Sequence, residues 1–317
     1  MLEHEQIPLK NTATVPDLSV CIGGIRFKNP VIAASGTFGY GREYQGLLDI
    51  PCLGGICTKG LTLHPRQGNT GPRLHETPGG ILNSIGLENP GIPAFIEQEL
   101  PLLRELGPVV IANLAGSTVD EYREGARLLA RSSVDMIELN ISCPNVKAGG
   151  MAFGLDPKPA ASVVQAVREV WDKPLMVKLS PNAPDLHAVA GACVTAGADA
   201  FSLVNTFQAM AIDIYRRKPV FQHIKAGLSG PGIRPLALRM VWDLGEAVRV
   251  PLVGVGGIAN AADALEFLLA GAVAVQVGSA TFSHPPLMPE IIQGIAAYMQ
   301  QYRIARIADL SIRNKTF

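Results

Sequence analysis

The chain has 317 residues and no formal net charge, because its 27 Lys and Arg residues balance 27 Asp and Glu residues. Hydrophobic residues make up 48% of the chain and charged residues 17%, which predicts a folded protein with a sizeable core rather than a disordered one. The lack of a basic excess argues against nucleic acid as a partner, and no apolar run approaches the roughly 20 residues that would cross a membrane.

The first 17 residues are polar and contain no apolar signal-peptide core, so we expect a leader of unknown role followed by one domain over residues 18–317. Five scattered cysteines form no Cys-x-x-Cys pair and no zinc spacing, which is typical of reduced thiols in a cytoplasmic protein. The first predicted element is a β-hairpin in LSVCIGGIRFKNP, which turns at Gly23 and Gly24.

Eight short, β-rich apolar runs follow, and most of them precede a segment with the apolar spacing of a helix. The runs do not alternate cleanly between apolar and polar residues, as expected for parallel strands buried on both faces. Eight strand-helix units predict an α/β fold, a (β/α)8 TIM barrel whose lower mouth the hairpin caps, rather than the alternative doubly wound sheet. The strands are predicted at 31–36, 54–60, 109–117, 136–144, 175–181, 200–206, 251–257 and 272–279, and helices at 119–131, 159–170, 186–196, 236–248 and 262–270.

Three connections are too long to be simple turns: residues 61–92, 145–157 and 207–230. They are rich in Gly, Pro and Asn, and each follows the C-terminal end of a predicted strand. In a barrel this end carries the active site, so we expect long βα loops over the C-terminal mouth.

The ends of predicted strands seven and eight carry the pairs Gly256-Gly257 and Gly278-Ser279. Barrels often hold a ligand's phosphate at this place, with backbone N–H groups and a helix N-terminus as donors. Glycine permits the close approach of backbone to phosphate. The two neighbouring pairs therefore predict a phosphate site.

Polar residues end five other strands at the same mouth. Lys59 and Lys178 are costly to place there unless an anion or a ligand uses them. Asn113, Asn140 and Asn205 each offer two donors and an acceptor. This set favours a planar ligand with many hydrogen bonds, such as a flavin, over a sugar phosphate alone.

The motif NISCPN, residues 140–145, places Cys143 just after predicted strand four. A buried cysteine is usually inert, and we apply that interpretation to Cys21, Cys52, Cys57 and Cys193. Cys143 differs because it lies at the catalytic rim among polar residues and before a glycine-rich loop. We therefore predict that it is catalytic.

With these residues, the sequence resembles the dihydroorotate dehydrogenases. The similarity runs from about residue 18 to the C-terminus, and its motifs occur in the family's order. They are ASGTFGYG, TKGLTLHPRQGN, GGILNSIGLENPG, ELNISCPNVKAGG, VKLSPN, LVNT, GLSGPGIRP, VGGIAN and QVGSA.

The resemblance implies one FMN per chain across the barrel mouth, and a substrate site beside it. The implied FMN-binding residues are Ser35, Lys59, Gly60, Asn113, Asn140, Lys178, Val204 and Gly230, with the phosphate on Gly256, Gly257, Gly278 and Ser279. The implied substrate-binding residues are Lys59, Asn83, Ser84, Ile85, Gly86, Leu87, Asn140, Asn205 and Thr206.

The resemblance also implies the chemistry: oxidation of (S)-dihydroorotate to orotate in pyrimidine biosynthesis, with Cys143 as the base and Lys59 assisting. The membrane-associated class of the family has serine at the base position and an N-terminal membrane-binding extension, and residues 1–20 resemble no such extension. Among the soluble classes, NVKAGGMAFG and GLSGPGIRP look more like the NAD⁺-linked class than the fumarate-linked class. That class implies a partner subunit with FAD and [2Fe–2S], and a homodimer core of a heterotetramer.

Three other functions stay open from the residues alone. A flavin barrel acting on a dihydropyrimidine would also place a cysteine beside FMN. A flavin-free phosphate-binding barrel, such as an isomerase or an aldolase, would explain the glycine pairs. A catalytically silent scaffold is the least favoured, because the polar strand ends are intact.

Overall fold

The computed structural model describes residues 15–142 and 153–313. Its centre is a closed barrel of eight parallel strands, in which each strand pairs with the next along the chain and the last pairs with the first. The predicted (β/α)8 barrel is therefore confirmed. Its strands are β3 (Val31–Ala33), β4 (Gly55–Cys57), β7 (Val109–Leu114), β8 (Met136–Asn140), β9 (Leu175–Lys178), β10 (Ala200–Leu203), β15 (Leu252–Val255) and β16 (Ala274–Val277), with labels that follow chain order.

All eight predicted runs contain a barrel strand, but the hydrogen-bonded strands are shorter than the runs. The strand β3 ends at Ala33, for example, and the remaining predicted residues to Gly36 form the turn above it. Lys59, Asn205 and the two glycine pairs thus lie in the loops that leave the barrel, whereas Asn113, Asn140 and Lys178 lie at the C-terminal ends of β7, β8 and β9. The barrel strands themselves are almost entirely buried, as their unbroken apolar pattern predicts.

Helices pack around the barrel, and the five predicted ones are present within one or two residues at each end. Side chains of Thr118, Asp156, Asp185 and Asn260 accept a hydrogen bond at the N-termini of α3, α4, α5 and α7. The helices are α1 (Ile92–Ala94), α2 (Leu100–Leu106), α3 (Val119–Ala130), α4 (Pro157–Arg168), α5 (Leu186–Thr195), α6 (Arg234–Ala247), α7 (Ala261–Leu269) and α8 (Leu287–Gln301), and a π-helical turn, Phe95–Glu99, joins α1 to α2. None of the helices in the described ranges is long and apolar enough to span a membrane.

The predicted hairpin consists of β1 (Val20–Ile22) and β2 (Ile25–Phe27), which pair antiparallel around Gly23 and Gly24. Gly23 packs against Pro174 and Asp199, which directly precede β9 and β10. Phe27 is completely buried, and its ring lies against Gly55 in β4. The hairpin therefore caps the N-terminal mouth, as predicted.

A second sheet, which the sequence analysis did not predict, lies at the opposite mouth. Its antiparallel strands are β5 (Leu74–Thr77), β6 (Gly80–Asn83), β11 (Phe207–Met210) and β14 (Lys225–Ser229), in the order β11-β14-β6-β5. Two of the three long loops thus combine into one structure, and a two-stranded ribbon, β12 (Ile212–Asp213) with β13 (Lys218–Pro219), extends from it. The third loop falls largely outside the described residues.

Candidate active site

A cavity of about 280 Å³ lies between the C-terminal ends of the barrel strands and the second sheet. Of the site residues expected from the sequence that lie within the described ranges, all except Ser84 surround it. The expected residues that line it are Ser35, Lys59, Gly60, Asn83, Ile85, Gly86, Leu87, Asn113, Asn140, Lys178, Val204, Asn205, Thr206, Gly230, Gly256, Gly257, Gly278 and Ser279. The structure therefore brings together the residues assigned to FMN and those assigned to the substrate.

One end of the cavity is formed by the two glycine pairs. Gly257 has a φ of 74°, and a Cβ atom there would lie 2.7 Å from the Cβ atom of Arg234 and 2.8 Å from the carbonyl oxygen of Gly230. Only a glycine leaves room for the backbone at this point. Ser279 begins a 3-10 helix, Ser279–Phe282, whose first N–H groups have no partner within the helix. This end can hold a phosphate.

The turn after Gly257 is fixed by an ion pair behind it. Arg234, near the start of α6, pairs with the buried carboxylate of Asp263 in α7. The other carboxylate oxygen of Asp263 accepts a hydrogen bond from the N–H group of Ala259 at 2.9 Å. The position of the glycine backbone is thus set by two helices.

Lys59 supplies the cavity with a cation that has no counter-ion in the described parts of the chain. Its backbone N–H group donates to the carbonyl oxygen of Gly39 at 3.1 Å, which fixes the end of β4. No acceptor for its ammonium group is found among residues 15–142 and 153–313. A ligand anion at this wall would therefore complete the hydrogen bonding of Lys59.

The floor of the cavity holds a carboxylate that the sequence analysis missed, Glu138 in β8. It is completely buried, and the Nζ atom of Lys178 lies 3.5 Å from its Oε1 atom. Asn113 Nδ2 donates to the same oxygen at 2.6 Å and Cys57 Sγ at 3.2 Å. The signal for Glu138 was present, because a glutamate stands between Ile137 and Leu139 in an otherwise apolar strand.

The second carboxylate oxygen of Glu138 accepts hydrogen bonds from Ser202 Oγ at 2.7 Å and from Gln276 Nε2 at 2.5 Å. Burial alone would raise the pKa of Glu138, but the Lys178 ammonium and the donated hydrogen bonds outweigh burial, and the pKa lies below its ordinary value. Glu138 is therefore ionised at neutral pH, beneath a cavity that Lys178 and Gln276 both line.

Three asparagines continue the network toward the substrate side. Asn140 Nδ2 donates to Asn113 Oδ1 at 3.3 Å, and Asn140 Oδ1 accepts from Ser142 Oγ at 3.0 Å. Asn205 Nδ2 donates to Ser142 Oγ at 2.5 Å. The three amides thus form one connected chain from Glu138 to the residue before Cys143.

The loop between β6 and α1 forms the wall below the second sheet. At its start, Asn83, the last residue of β6, donates from Nδ2 to the carbonyl oxygen of Gly227 in β14 at 3.2 Å. Thr206 packs against the backbone of Gly227, where a Cβ atom would meet its hydroxyl group. Ser84 does not line the cavity, because its side chain is buried and accepts a hydrogen bond from Asn69 at 3.0 Å.

Cys143, the predicted catalytic residue, lies outside the described residues. Among the other cysteines, burial and the neighbouring Glu138 carboxylate raise the pKa of Cys57, and burial raises the pKa of Cys193 to about 12. Cys21 is exposed in the hairpin, at the mouth opposite the cavity. The thiols of Cys57 and Cys193 thus remain protonated at neutral pH, which agrees with their predicted inert role.

Comparison with known proteins identifies the same family as the sequence motifs do. The sequence model of a family described as dihydroorotate dehydrogenase matches residues 17–299. A protein of Petrotoga mobilis is 56% identical over 294 residues, which cover 93% of this chain and 98% of the relative. A protein of Citrifermentans bemidjiense is 53% identical over 296 residues (93% and 97%), and one of Caldicellulosiruptor saccharolyticus is 52% identical over 294 residues (93% and 98%). All three are named dihydroorotate dehydrogenase B (NAD(+)), catalytic subunit.

Proposed function

Because the chain belongs to the dihydroorotate dehydrogenase family, we propose that it is the FMN-carrying catalytic subunit of an NAD⁺-linked enzyme. In this proposal it oxidises (S)-dihydroorotate to orotate in pyrimidine biosynthesis, in the cytoplasm. The observation that carries the proposal is the cavity at the C-terminal mouth, where the residues expected for FMN and for the substrate meet. The names of the relatives favour NAD⁺ over fumarate as the final acceptor.

The cavity fits FMN in three respects. The glycine backbone at Gly257 suits a phosphate at one end, and the Lys59 ammonium has no counter-ion among the described residues. Gln276 lines the same cavity, and its Oε1 atom is buried and has no hydrogen-bond partner in the part of the chain described. A ring with donors and acceptors on its edge would satisfy such groups.

The residues that would hold FMN divide by position. Gly256, Gly257, Gly278 and Ser279 would bind the phosphate through backbone N–H groups. Lys178, which lines the floor of the cavity, would supply a positive charge to stabilise the reduced flavin. When bound, FMN would supply the acceptor for the hydride that leaves C6 of dihydroorotate.

The chain's own residues would orient the substrate. Asn140 and Asn205 offer amides on one wall, and Lys59 offers a cation for the substrate carboxylate. Asn83 at the end of β6 and Leu87 in the loop that follows also line the cavity, where they would exclude water from the substrate. Holding the ring in one orientation supplies a large part of the rate in reactions of this kind.

Cys143 would act as the base. Oxidation of the C5–C6 bond requires that C5 lose a proton while C6 loses a hydride, and the Cys143 thiolate would take that proton. Support for this role comes from the family motif NISCPN and from the position of Ser142, whose hydroxyl group bonds Asn140 and Asn205 at the substrate side.

A partner subunit would complete the electron path. The relatives are named as catalytic subunits of an NAD(+) enzyme, which supports a second subunit in this protein as well. We expect that subunit to carry FAD and [2Fe–2S], on a homodimer of this chain. The sequence of this chain has no ferredoxin-like set of cysteines and no dinucleotide-binding fingerprint.

Substrate and acceptor specificity test the proposal. The FMN-loaded chain should oxidise dihydroorotate and leave dihydrouracil unreacted, since Lys59 would have no carboxylate to bind in the latter. Orotate should inhibit and uracil should not. NAD⁺ reduction should appear only when the electron-transfer subunit is added. Equal rates with dihydrouracil would replace this function with a dihydropyrimidine dehydrogenase, and turnover with fumarate by the chain alone would move it to the fumarate-linked class.

A further inference from the structure

The buried carboxylate of Glu138 lies at the centre of the barrel. Gln276 belongs to β16, which is four strands away from β8 in either direction around the barrel. The hydrogen bond from Gln276 to Glu138 therefore crosses the barrel interior. The other partners of Glu138 belong to β4, β7, β9 and β10. With β8 and β16, the Glu138 side chain therefore connects six of the eight strands.

We propose that Glu138 is the positioning residue of the cavity, which keeps the Lys178 ammonium charged and fixes the direction of the Gln276 amide. Both of these side chains line the cavity, whereas Glu138 lies below it and does not. The part of this inference that concerns FMN rests on the proposed function. Glu138 acts through its neighbours and touches neither cofactor nor substrate.

The charge of Lys178 depends on Glu138 because both groups are almost completely buried. A buried ammonium without a counter-ion loses its proton readily, since burial disfavours the charged form. The other titratable groups near Lys178 are Cys57, which is protonated, and Lys59, which is itself a cation at the cavity wall. Glu138 is thus the one anion that faces Lys178 among the described residues.

The directions of the Gln276 and Asn113 amides follow from the chemistry of an ionised carboxylate, which accepts hydrogen bonds and donates none. Gln276 must point its NH2 group at Glu138, which leaves its buried carbonyl oxygen without a hydrogen-bond partner among the described residues. Asn113 must also point its NH2 group at Glu138, and its oxygen then requires a donor from Asn140.

The same rule extends to the substrate side. Because Asn140 donates its NH2 group to Asn113, the oxygen of Asn140 faces Ser142 and Asn205. Asn205 in turn donates its NH2 group to Asn140 Oδ1 and Ser142 Oγ. One acceptor-only group therefore sets the donor and acceptor pattern of four amides. Chains of this kind are strengthened by the low dielectric constant of a buried site.

The test uses five proteins: the full wild-type chain, Glu138→Gln, Lys178→Gln, the double variant, and Ser202→Ala. The first measurement is the free energy of unfolding without FMN, from about pH 6 to about pH 9. Glu138→Gln keeps the shape of the side chain but leaves Lys178 without a counter-ion. We expect its folding equilibrium constant to fall roughly 100-fold or more at the lower pH.

The pH dependence gives the specific signature. In Glu138→Gln the folded state gives up the Lys178 proton more readily than the unfolded chain, so the unfolded state binds more protons and stability rises with pH. The deficit should shrink by up to about tenfold per pH unit. The double variant and Ser202→Ala, which removes a neutral bond to the same carboxylate, should show deficits that do not change with pH. A Glu138→Gln deficit that is constant with pH would overturn the proposal for Lys178.

The second measurement is FMN affinity, by fluorescence titration of FMN-free protein. Within the Lys178→Gln background, the effect of Glu138→Gln no longer depends on the Lys178 ammonium, and we expect the change in amide direction to weaken FMN binding about fivefold or more. Equal affinities of the double variant and Lys178→Gln would overturn the role of Glu138 in amide direction. Failure of the wild type to bind FMN would reject the flavin assignment itself, and the unfolding series would still decide the Lys178 part.

Discussion

The two mouths of the barrel are formed by the same eight strands but carry different residues. At the N-terminal mouth the hairpin covers the strands, and Val20, Ile22 and Phe27 are buried in the main hydrophobic core. At the C-terminal mouth, charged and amide side chains such as Lys178 and Asn140 are buried and hydrogen-bonded around a cavity. Residues at the N-terminal mouth thus stabilise the fold, whereas residues at the C-terminal mouth are available for chemistry, a division that is typical of this barrel.

Replacement of the proposed base should have the largest effect. In Cys143→Ala the rate of flavin reduction by dihydroorotate should fall roughly 100- to 10,000-fold, because general base catalysis is lost. Anaerobic stopped-flow absorbance measures this rate. Cys21→Ala, at the opposite mouth, is the control and should react like the wild type. A Cys143→Ala variant that reacts at the wild-type rate would remove Cys143 from the mechanism.

A core substitution at the N-terminal mouth should lower the stability of the fold and leave the rate of flavin reduction unchanged. Phe27→Ala should lower the free energy of unfolding by about 3–5 kcal/mol, because a fully buried ring leaves a cavity. In the folded fraction of Phe27→Ala, dihydroorotate should reduce the flavin at the wild-type rate. Phe282→Ala, a half-exposed ring at the cavity rim, is the matched control and should lose less than about 1 kcal/mol. Urea denaturation measures both, and a slow flavin reaction in Phe27→Ala would show that the two mouths are coupled.

Removal of the Lys59 cation should weaken substrate binding. In Lys59→Met, the affinity of FMN-saturated protein for orotate should fall roughly 10- to 100-fold, because one hydrogen bond to a charged group is lost. Titration with orotate under equilibrium conditions measures this change. Lys158→Met, an exposed lysine at the start of α4, should bind as the wild type does. Unchanged affinity in Lys59→Met would place the substrate carboxylate elsewhere.

The most gradual effect concerns pH. A thiolate base requires that the flavin reduction rate fall as pH falls below the ordinary cysteine pKa of about 8.5, by about tenfold per pH unit at the limit. Burial holds the pKa of Cys193 at about 12 and raises that of Cys57, so neither thiol contributes to the profile. A rate that is flat from about pH 6 to about pH 9 would contradict a base with an unperturbed thiol pKa.

The sequence predicted the features that depend on short-range patterns. The apolar strand runs and the glycine pairs after strands seven and eight were recognisable because each is a local signal. The second sheet was not, since Asn83 and Gly227 pair across 144 residues and their strands have only four or five residues each. The role of Glu138 depends on which side chains face the barrel interior together, and this is known only once the barrel closes.

The most direct test of the account is anaerobic mixing of the FMN-loaded chain with dihydroorotate. If the C-terminal mouth holds FMN and dihydroorotate side by side, the visible absorption band of the flavin bleaches rapidly and orotate is formed in an equal amount. A properly loaded wild-type protein whose flavin band is unchanged by dihydroorotate would contradict the central claim.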